Sequence, residues 1–334
     1  MLYITTRSRG DAFTVAKTLQ TDTGLDGGRY VPMQPQQIPP EEMDCWLKKS
    51  YHKAIADMLN LFFATKLTGW DVEFAIGRTP IKMAAMNHRI FIAEVWHNQE
   101  RTLEYMVTSL HRLVAQNDYV TDWSRIAISI AVLFGVFTQL QSDEESLLDN
   151  PVDIAVNTGD FSAPMVAWYA RSMGLPVGNI ICACNENSAV WDLLRNGTLS
   201  CAHSPVKTEL PELDVAVPVN LERLVFATLG ADRATDFANA LENRSAFALT
   251  EEELPVLNSG LSVSVVGTKR VSSIIHKVYK TNAYVLDPYT ALTFGGLQDY
   301  RANTGEGRAT LLISGKSPAC CKEMVASALG VSTG

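Results

Sequence analysis

Three groups of residues in this sequence have side chains that could do chemistry. His97 lies in the segment WHNQE, close to Glu94 and Glu104, and an imidazole beside a carboxylate can act as a general base. A polar turn, TGDFS at residues 158–162, lies between an apolar run and an amphipathic segment. Backbone N–H groups of such a turn, at the start of a helix, commonly hold a phosphate. These two groups suggest a ligand-binding cleft.

The third group is a set of cysteines and a histidine that resembles a metal site only loosely. Cys182 and Cys184 are two residues apart on a predicted strand and would share one face, and Cys201 and His203 follow. Cysteine and histidine can hold Zn²⁺ tetrahedrally, but the C-x-C spacing is a weak signal. We interpret the pair as small buried residues of a core strand and expect no metal.

The stretch 152–187 predicts the strands and the helix that position this turn. VDIAVN has the apolar, β-branched character of a strand buried on both faces. After the turn, apolar residues recur every three or four positions until Gly174 and Pro176, which indicate the end of a helix. NIICAC is the next strand. The order predicts a right-handed parallel crossover, with the turn at the carboxyl edge of the sheet.

This stretch resembles the threonine synthases, enzymes that use pyridoxal phosphate (PLP) and share the tryptophan-synthase-like fold. In that family a Ser-Gly-Asn-Phe-Gly turn cradles the cofactor phosphate, and an Ala-Thr-Asn-(Glu/Val)-Asn segment follows the next strand. Here TGDFS and ACNEN (183–187) occupy these places, with MGLP (173–176) between them. The YITTR opening, EVWHN at 94–98, DWSRI at 122–126 and DPYTA at 287–291 extend the resemblance over nearly the whole chain.

The resemblance implies a cofactor lysine that this chain lacks. The family's Glu-Leu-(Phe/Trp)-His-Gly-Pro-Thr-x-Ala-Phe-Lys-Asp segment carries the lysine that forms a Schiff base with PLP. Aligned without a gap, Glu104 replaces that lysine and Tyr105 replaces the aspartate. No lysine occurs between Lys82 and Lys207, so a shifted alignment cannot restore one. Lys316 is expected near the pyridine end, on the wrong side for the aldehyde, and we therefore expect no primary amine within reach in the cleft.

Three further departures concern the same pocket. The family's mobile subdomain, with its Ser-Gly-Asp-Thr-Gly loop, is mostly missing between residues 115 and 122. Asp160 and Ser162 stand where the family has asparagine and glycine, and Gly315 stands where a threonine partners the pyridine nitrogen. We interpret Asp160 as an acid that caps the following helix. The predicted vestigial cofactor pocket comprises Thr158, Gly159, Asp160, Phe161, Ser162 and Gly315.

Other local patterns predict further elements. Pro40 should begin a helix that continues through Trp46 to Leu59. Asn220 is placed as the N-cap of another helix, and Ala283–Leu286 is expected to form a strand.

Composition narrows the function classes. The chain has 334 residues, 47% hydrophobic and 19% charged, which is typical of a globular protein. A net charge of −8 disfavours nucleic-acid binding, and the apolar run at 126–137 is too short to span a membrane. With six cysteines in no scaffold pattern and no secretory apolar core in the first residues, we expect a cytoplasmic protein.

The sequence thus predicts an α/β fold, a parallel sheet wrapped by helices, like threonine synthase and the tryptophan synthase β subunit, without most of the small subdomain. Residues 1–115 would form an N-terminal cap and the first part of the fold, and residues 116–334 the main α/β domain. The preferred hypothesis is a pseudoenzyme without PLP whose pocket binds a small molecule or a protein partner, with a homodimer as one further assembly. The alternative is an active PLP-dependent threonine synthase or related lyase acting on O-phosphohomoserine-like amino acids.

Overall fold

A mostly parallel sheet with helices on both faces organises the chain. The structure is a computed structural model, described over residues 1–8, 10–87, 89–96, 102–115, 117–143 and 150–331. Strands β1–β10 are Tyr3–Thr5, Tyr30–Pro32, Lys82–Met86, Ile90–Glu94, Val152–Asn157, Val177–Cys184, Thr198–Ser200, Ala246–Ala248, Leu261–Val265 and Thr310–Ser314. Helices α1–α14 are Val15–Thr18, Pro40–Leu47, Tyr51–Phe63, Gly69–Ile76, Leu103–Val114, Asp122–Asp143, Ser162–Ser172, Ala189–Asn196, Leu221–Leu229, Ala231–Glu242, Glu253–Leu257, Thr268–Asn282, Pro288–Thr304 and Lys322–Leu329. Short 3₁₀ turns lie at Pro211–Leu213 and Pro318–Cys321.

The main sheet has the strand order β3-β4-β10-β5-β6-β9. β3 is antiparallel to β4, and the other neighbours are parallel. The last strand, β10, lies between β4 and β5, with Leu311 in register with Phe91 and Ile154. Parallel strands in the middle of such a sheet are covered on both faces, which explains their continuous apolar runs. The predicted α/β architecture is confirmed.

The predicted strand–turn–helix–strand unit is present as β5, α7 and β6. β5 and β6 pair in parallel, with Ala155 opposite Ile181. α7 ends at Ser172, and Gly174, two residues later, has a φ of +103°; a Cβ there would lie 2.6 Å from the carbonyl oxygen of Ile38. Both the backbone conformation and the close approach therefore require glycine.

Two predicted elements are wrong. The single helix from Pro40 to Leu59 is two helices, because Ser50 is extended and the chain turns between α2 and α3 so that both pack on α6. The predicted strand Ala283–Leu286 is irregular. Ala283 adopts the left-handed conformation that ends α12, and the chain then enters α13. A four-residue apolar run does not by itself distinguish a strand from a buried connection.

Helix α6 is the centre of the larger core. Among the described residues it is the one helix long and apolar enough to cross a membrane by length and composition, and 83% of its most apolar window is buried inside the protein. α5 ends at Val114 and α6 begins at Asp122. In the described ranges, the sheets outside the main one are the two-stranded antiparallel pairs β1–β2 and β7–β8. The main sheet draws strands from both sides of residue 115, and the domain boundary stays a prediction.

Candidate functional site

A cavity of about 530 Å³ opens at the carboxyl edge of the sheet. The ends of β5 and β10, the first turns of α5 and α7, and one face of α6 form its walls. The 3₁₀ turn Pro211–Leu213 and the start of α13 complete it. In open parallel sheets, ligands bind at this edge because loops and helix N-termini converge there.

The turn at 158–162 forms one wall, and both donors of Ser162 are used within the turn. The Asp160 Oδ1 atom accepts hydrogen bonds from the Ser162 backbone nitrogen at 2.9 Å and from Ser162 Oγ at 2.6 Å. Phe161 is fully buried with φ = +69°, which turns the chain sharply into α7. Phe161 holds the N-cap position of α7, so the prediction that Asp160 caps this helix is corrected: Asp160 lies one residue earlier and accepts from the N–H of Ser162, the first residue of α7.

Asn220 precedes α9 as predicted, but its side chain does not cap that helix. The Nδ2 atom of Asn220 donates to the backbone oxygen of Asp160 at 3.1 Å, and its Oδ1 accepts from the buried guanidinium of Arg223. Arg223 also donates to Asp122 at 2.7 Å, at the start of α6. The turn is thereby tied to α6 and α9, and Asn220 holds the predicted N-cap position while its side chain bonds to Asp160 and Arg223.

Glu104 lies in the first turn of α5, facing the cavity. Thr102 caps this helix by accepting from the Tyr105 nitrogen at 3.2 Å. Both Nη atoms of Arg125, from α6, donate to the Glu104 carboxylate, Nη2 to Oε1 at 3.1 Å. The hydrogen bonds from Arg125 lower the pKa of Glu104, so this carboxylate is charged at neutral pH.

Lys316 also lines the cavity, which corrects the expectation that the cleft holds no primary amine. It follows Gly315 directly after β10. Its Nζ donates to Glu212 and lies 4.7 Å from the centroid of the Tyr289 ring. Lys82 is not part of the cavity wall and pairs with Glu94 at 3.4 Å.

Sequence comparisons with known proteins find matches among threonine synthases and threonine synthase-like proteins. A family profile described as threonine synthase N terminus matches residues 2–79. Human threonine synthase-like 1 is 26% identical over 174 residues, 51% of this chain and 23% of that protein. Threonine synthase of Saccharomyces cerevisiae is 25% identical over 199 residues, 55% of this chain and 38% of the yeast protein. These alignments therefore span well under half the length of the relatives.

Solved structures share the whole fold. PLP-bound threonine synthase from Brucella melitensis superposes with a TM-score of 0.86 at 18% identity, covering 99% of this chain and 92% of the other. Yeast threonine synthase superposes with a TM-score of 0.85 at 15% identity, covering 99% and 90%. The sequence matches support membership of the threonine synthase-like family, and the superpositions show that the chain has the threonine synthase fold.

Within this threonine synthase-like fold, the structure brings most of the predicted site residues together. The cavity wall contains Glu104, Gly159, Asp160, Ser162 and Gly315. Thr158 and Phe161 are buried behind the turn and do not line the cavity. His97 lies outside the described residues, so its role as a base stays a prediction.

Asp287 lines the cavity, although the sequence motifs did not predict it as a site residue. It is the N-cap of α13, accepting from the backbone nitrogens of Tyr289 and Thr290, and it also accepts from Ser314 Oγ at 2.9 Å. Burial raises the pKa of Asp287, although its hydrogen bonds oppose this. Aspartate before a Pro at the first helical position was the available signal.

The cysteines behave as the core residues we expected. Cys182 and Cys184 are buried in the sheet, and burial raises the pKa of Cys184 to about 12. Cys201 is half-buried and His203 is exposed. Within the described part of the chain, no three His, Cys, Asp or Glu side chains are grouped so that they could hold a metal.

Proposed function

We propose that this threonine synthase-like protein is non-catalytic and that its cavity holds a small molecule without a covalent bond. The observation that carries the proposal is Glu104. The resemblance places the family's Schiff-base lysine at this helix start, where Glu104 is a charged carboxylate paired with Arg125. A carboxylate cannot condense with an aldehyde, so the main covalent anchor for PLP is missing.

The turn at the start of α7 is a poor fit for the phosphate of PLP. The Ser162 N–H and Oγ–H that an anion would use already donate to Asp160. A phosphate dianion placed here would meet the Asp160 carboxylate at short range, and a charge repulsion of this kind is costly in a partly buried site. These contacts support the proposal that the protein does not bind PLP. The concave cavity, with its mostly apolar surface, favours a small molecule over a protein partner.

The position of Lys316 favours the alternative function. That alternative is an active PLP-dependent threonine synthase or related lyase acting on O-phosphohomoserine-like amino acids. Lys316 is an amine in the cavity wall. Its ion pair with Glu212 argues against Lys316 as the residue that binds the aldehyde.

The test uses the purified full-length chain with excess PLP, visible spectra before and after borohydride reduction, and mass spectrometry of the reduced protein. We expect no stoichiometric pyridoxyl adduct, and any trace labelling should be the same in the wild type and in Lys316→Arg. A stoichiometric adduct that is present in the wild type and lost in Lys316→Arg would overturn the proposal. Lys82→Arg is the matched control, because Lys82 is outside the cavity.

A further inference from the structure

We infer that the ligand of this cavity is a hydrophobic amine, with a cationic head and an apolar body, rather than a phosphorylated amino acid. The inference rests on the proposed function and names the chemical class of the ligand. It depends on the apolar walls of the cavity, on the pairing of its cations, and on the excess of carboxylates at its polar end.

Most of the wall surface is apolar, and its larger aliphatic side chains come from five different elements and the turns beside them. These side chains are Val95, Leu103, Val107, Val132, Leu133, Val136, Ile154, Val156, Val166, Leu213 and Ile313. A surface of this kind gains free energy by covering hydrocarbon, roughly in proportion to the apolar area removed from water. A small, strongly hydrated molecule such as a phosphorylated amino acid would leave most of this apolar surface uncovered.

The two cations of the cavity wall, Arg125 and Lys316, already form ion pairs with carboxylates. Arg125 donates through both Nη atoms to Glu104. Lys316 donates to Glu212 and lies over the ring of Tyr289. An incoming anion would have to displace a carboxylate to reach either cation, so neither provides a ready anion site.

The carboxylates outnumber the cations. Glu104, Asp160, Glu212 and Asp287 line the cavity, against Arg125 and Lys316. The Asp160 carboxylate accepts from Ser162 and, among the described residues, no cation donates a hydrogen bond to it; Arg125 interacts with it electrostatically but donates its hydrogen bonds to Glu104. Even if Asp287 is neutral, the wall carries a net negative charge. This charge attracts a cationic head group to the turn at the start of α7.

The experiment compares three probes with the same ten-carbon chain: decylammonium, decanol and decyl phosphate. Each is titrated into the full-length protein below its micelle concentration, and the dissociation constant is measured by calorimetry at low and at high salt. We expect decylammonium to bind at least about tenfold more tightly than either other probe at low salt. High salt should weaken binding of decylammonium and leave binding of decanol nearly unchanged.

Three variants locate the effect. Asp160→Asn keeps an oxygen that can accept from Ser162 and removes the charge, so it should reduce the preference for decylammonium over decanol several-fold. Ala163→Trp fills the cavity from an open wall position and should abolish binding of all three probes. Glu42→Gln removes a charge from an exposed position outside the cavity and should change nothing.

Equal binding of decylammonium and decanol, tightest binding of decyl phosphate, or no binding of any probe would each overturn the inference. So would a preference for decylammonium that Asp160→Asn and Glu104→Gln both leave intact. None of these results produces a pyridoxyl adduct, and the borohydride experiment therefore decides the proposed function separately.

Discussion

Arg125 holds Glu104 by two hydrogen bonds, from α6 to the first turn of α5, at one wall of the cavity. The pair joins the first turn of α5 to α6, the helix at the centre of the larger core. It neutralises the guanidinium of Arg125, the arginine that lines the cavity among the described residues. Each end of the pair can be changed separately.

A lysine at position 104 should not by itself allow the protein to bind PLP covalently. Glu104→Lys places an ammonium beside Arg125 and leaves Asp160 at the phosphate turn, so we expect little reducible pyridoxyl adduct. The double variant Glu104→Lys with Asp160→Asn removes the carboxylate as well and should form at least about tenfold more adduct at the same PLP concentration. Mass spectrometry after borohydride measures this. Equal adduct in the single and double variants would show that Asp160 does not oppose phosphate binding.

Asp160 should stabilise the protein through the start of α7. Asp160→Ala removes the acceptor for the Ser162 N–H and Oγ–H and should lower the free energy of unfolding by about 1 kcal/mol. Asp160→Asn retains an acceptor and should cost only about a few tenths of that. Urea unfolding followed by circular dichroism makes the comparison. Equal losses in the two variants would mean that the charge of Asp160, rather than its hydrogen bonds, is what matters.

The buried guanidinium of Arg223 should contribute much more than a surface ion pair. It is fully buried and donates to Asp122, Asn220 and the Tyr30 backbone oxygen. Arg223→Met leaves these groups without their donor and should lower the free energy of unfolding by about 3 kcal/mol or more.

Arg112→Met is the control for Arg223. Arg112 pairs with Asp118 at an exposed site, and its loss should cost less than about 1 kcal/mol. Similar losses for the two arginines in urea unfolding would contradict the assignment of Arg223 to a buried network.

Asp122 should make stability fall in acid. Burial raises its pKa, but Arg223 and Arg29 outweigh this, so the pKa lies below its usual value in the folded protein. A carboxyl whose folded-state pKa is lowered stabilises the fold above its unfolded-state pKa of about 3.9, and this stability is lost as the pH falls through the folded-state pKa. Urea unfolding at a series of pH values below about 5 should show a shallower decline for Asp122→Asn than for the wild type. Asp118→Asn, at an exposed position, should follow the wild-type slope.

Gly296 should be required where α13 crosses the sheet. A Cβ at this position would lie 2.8 Å from Ala183 Cβ and 3.4 Å from Ala183 Cα, so α13 would have to move away from β6. Gly296→Ala should therefore destabilise the protein by about 1–3 kcal/mol, despite the higher helix propensity of alanine. Gly307→Ala has nothing within 4 Å of the added Cβ and should be near neutral. A stabilised Gly296→Ala protein in thermal unfolding would show that the helix–sheet spacing adapts easily.

The unit β5, α7 and β6 was predictable because its signals are local. A β-branched apolar run, a breaker turn, a helical period and a glycine stop each act over a few residues. The strand predicted at Ala283–Leu286 failed because the run was short, and burial by neighbouring elements determined its conformation. Asn220 was correctly placed next to a helix start, yet its partner, Asp160, is 60 residues away. Local pattern gave the position of Asn220 but contained no information about this contact.

The sequence alone determined that no lysine occurs between positions 82 and 207. It also determined that positions 104 and 160 carry acidic side chains, Glu104 and Asp160. The tertiary structure decided which side chains reach the cavity. Lys316 and Glu212 are 104 residues apart, and Glu104 and Arg125 are 21 apart. They meet because β10 is inserted between β4 and β5 and because α5 and α6 pack together. Strand order and helix packing depend on long-range burial of apolar surface, and local residue spacing does not encode them.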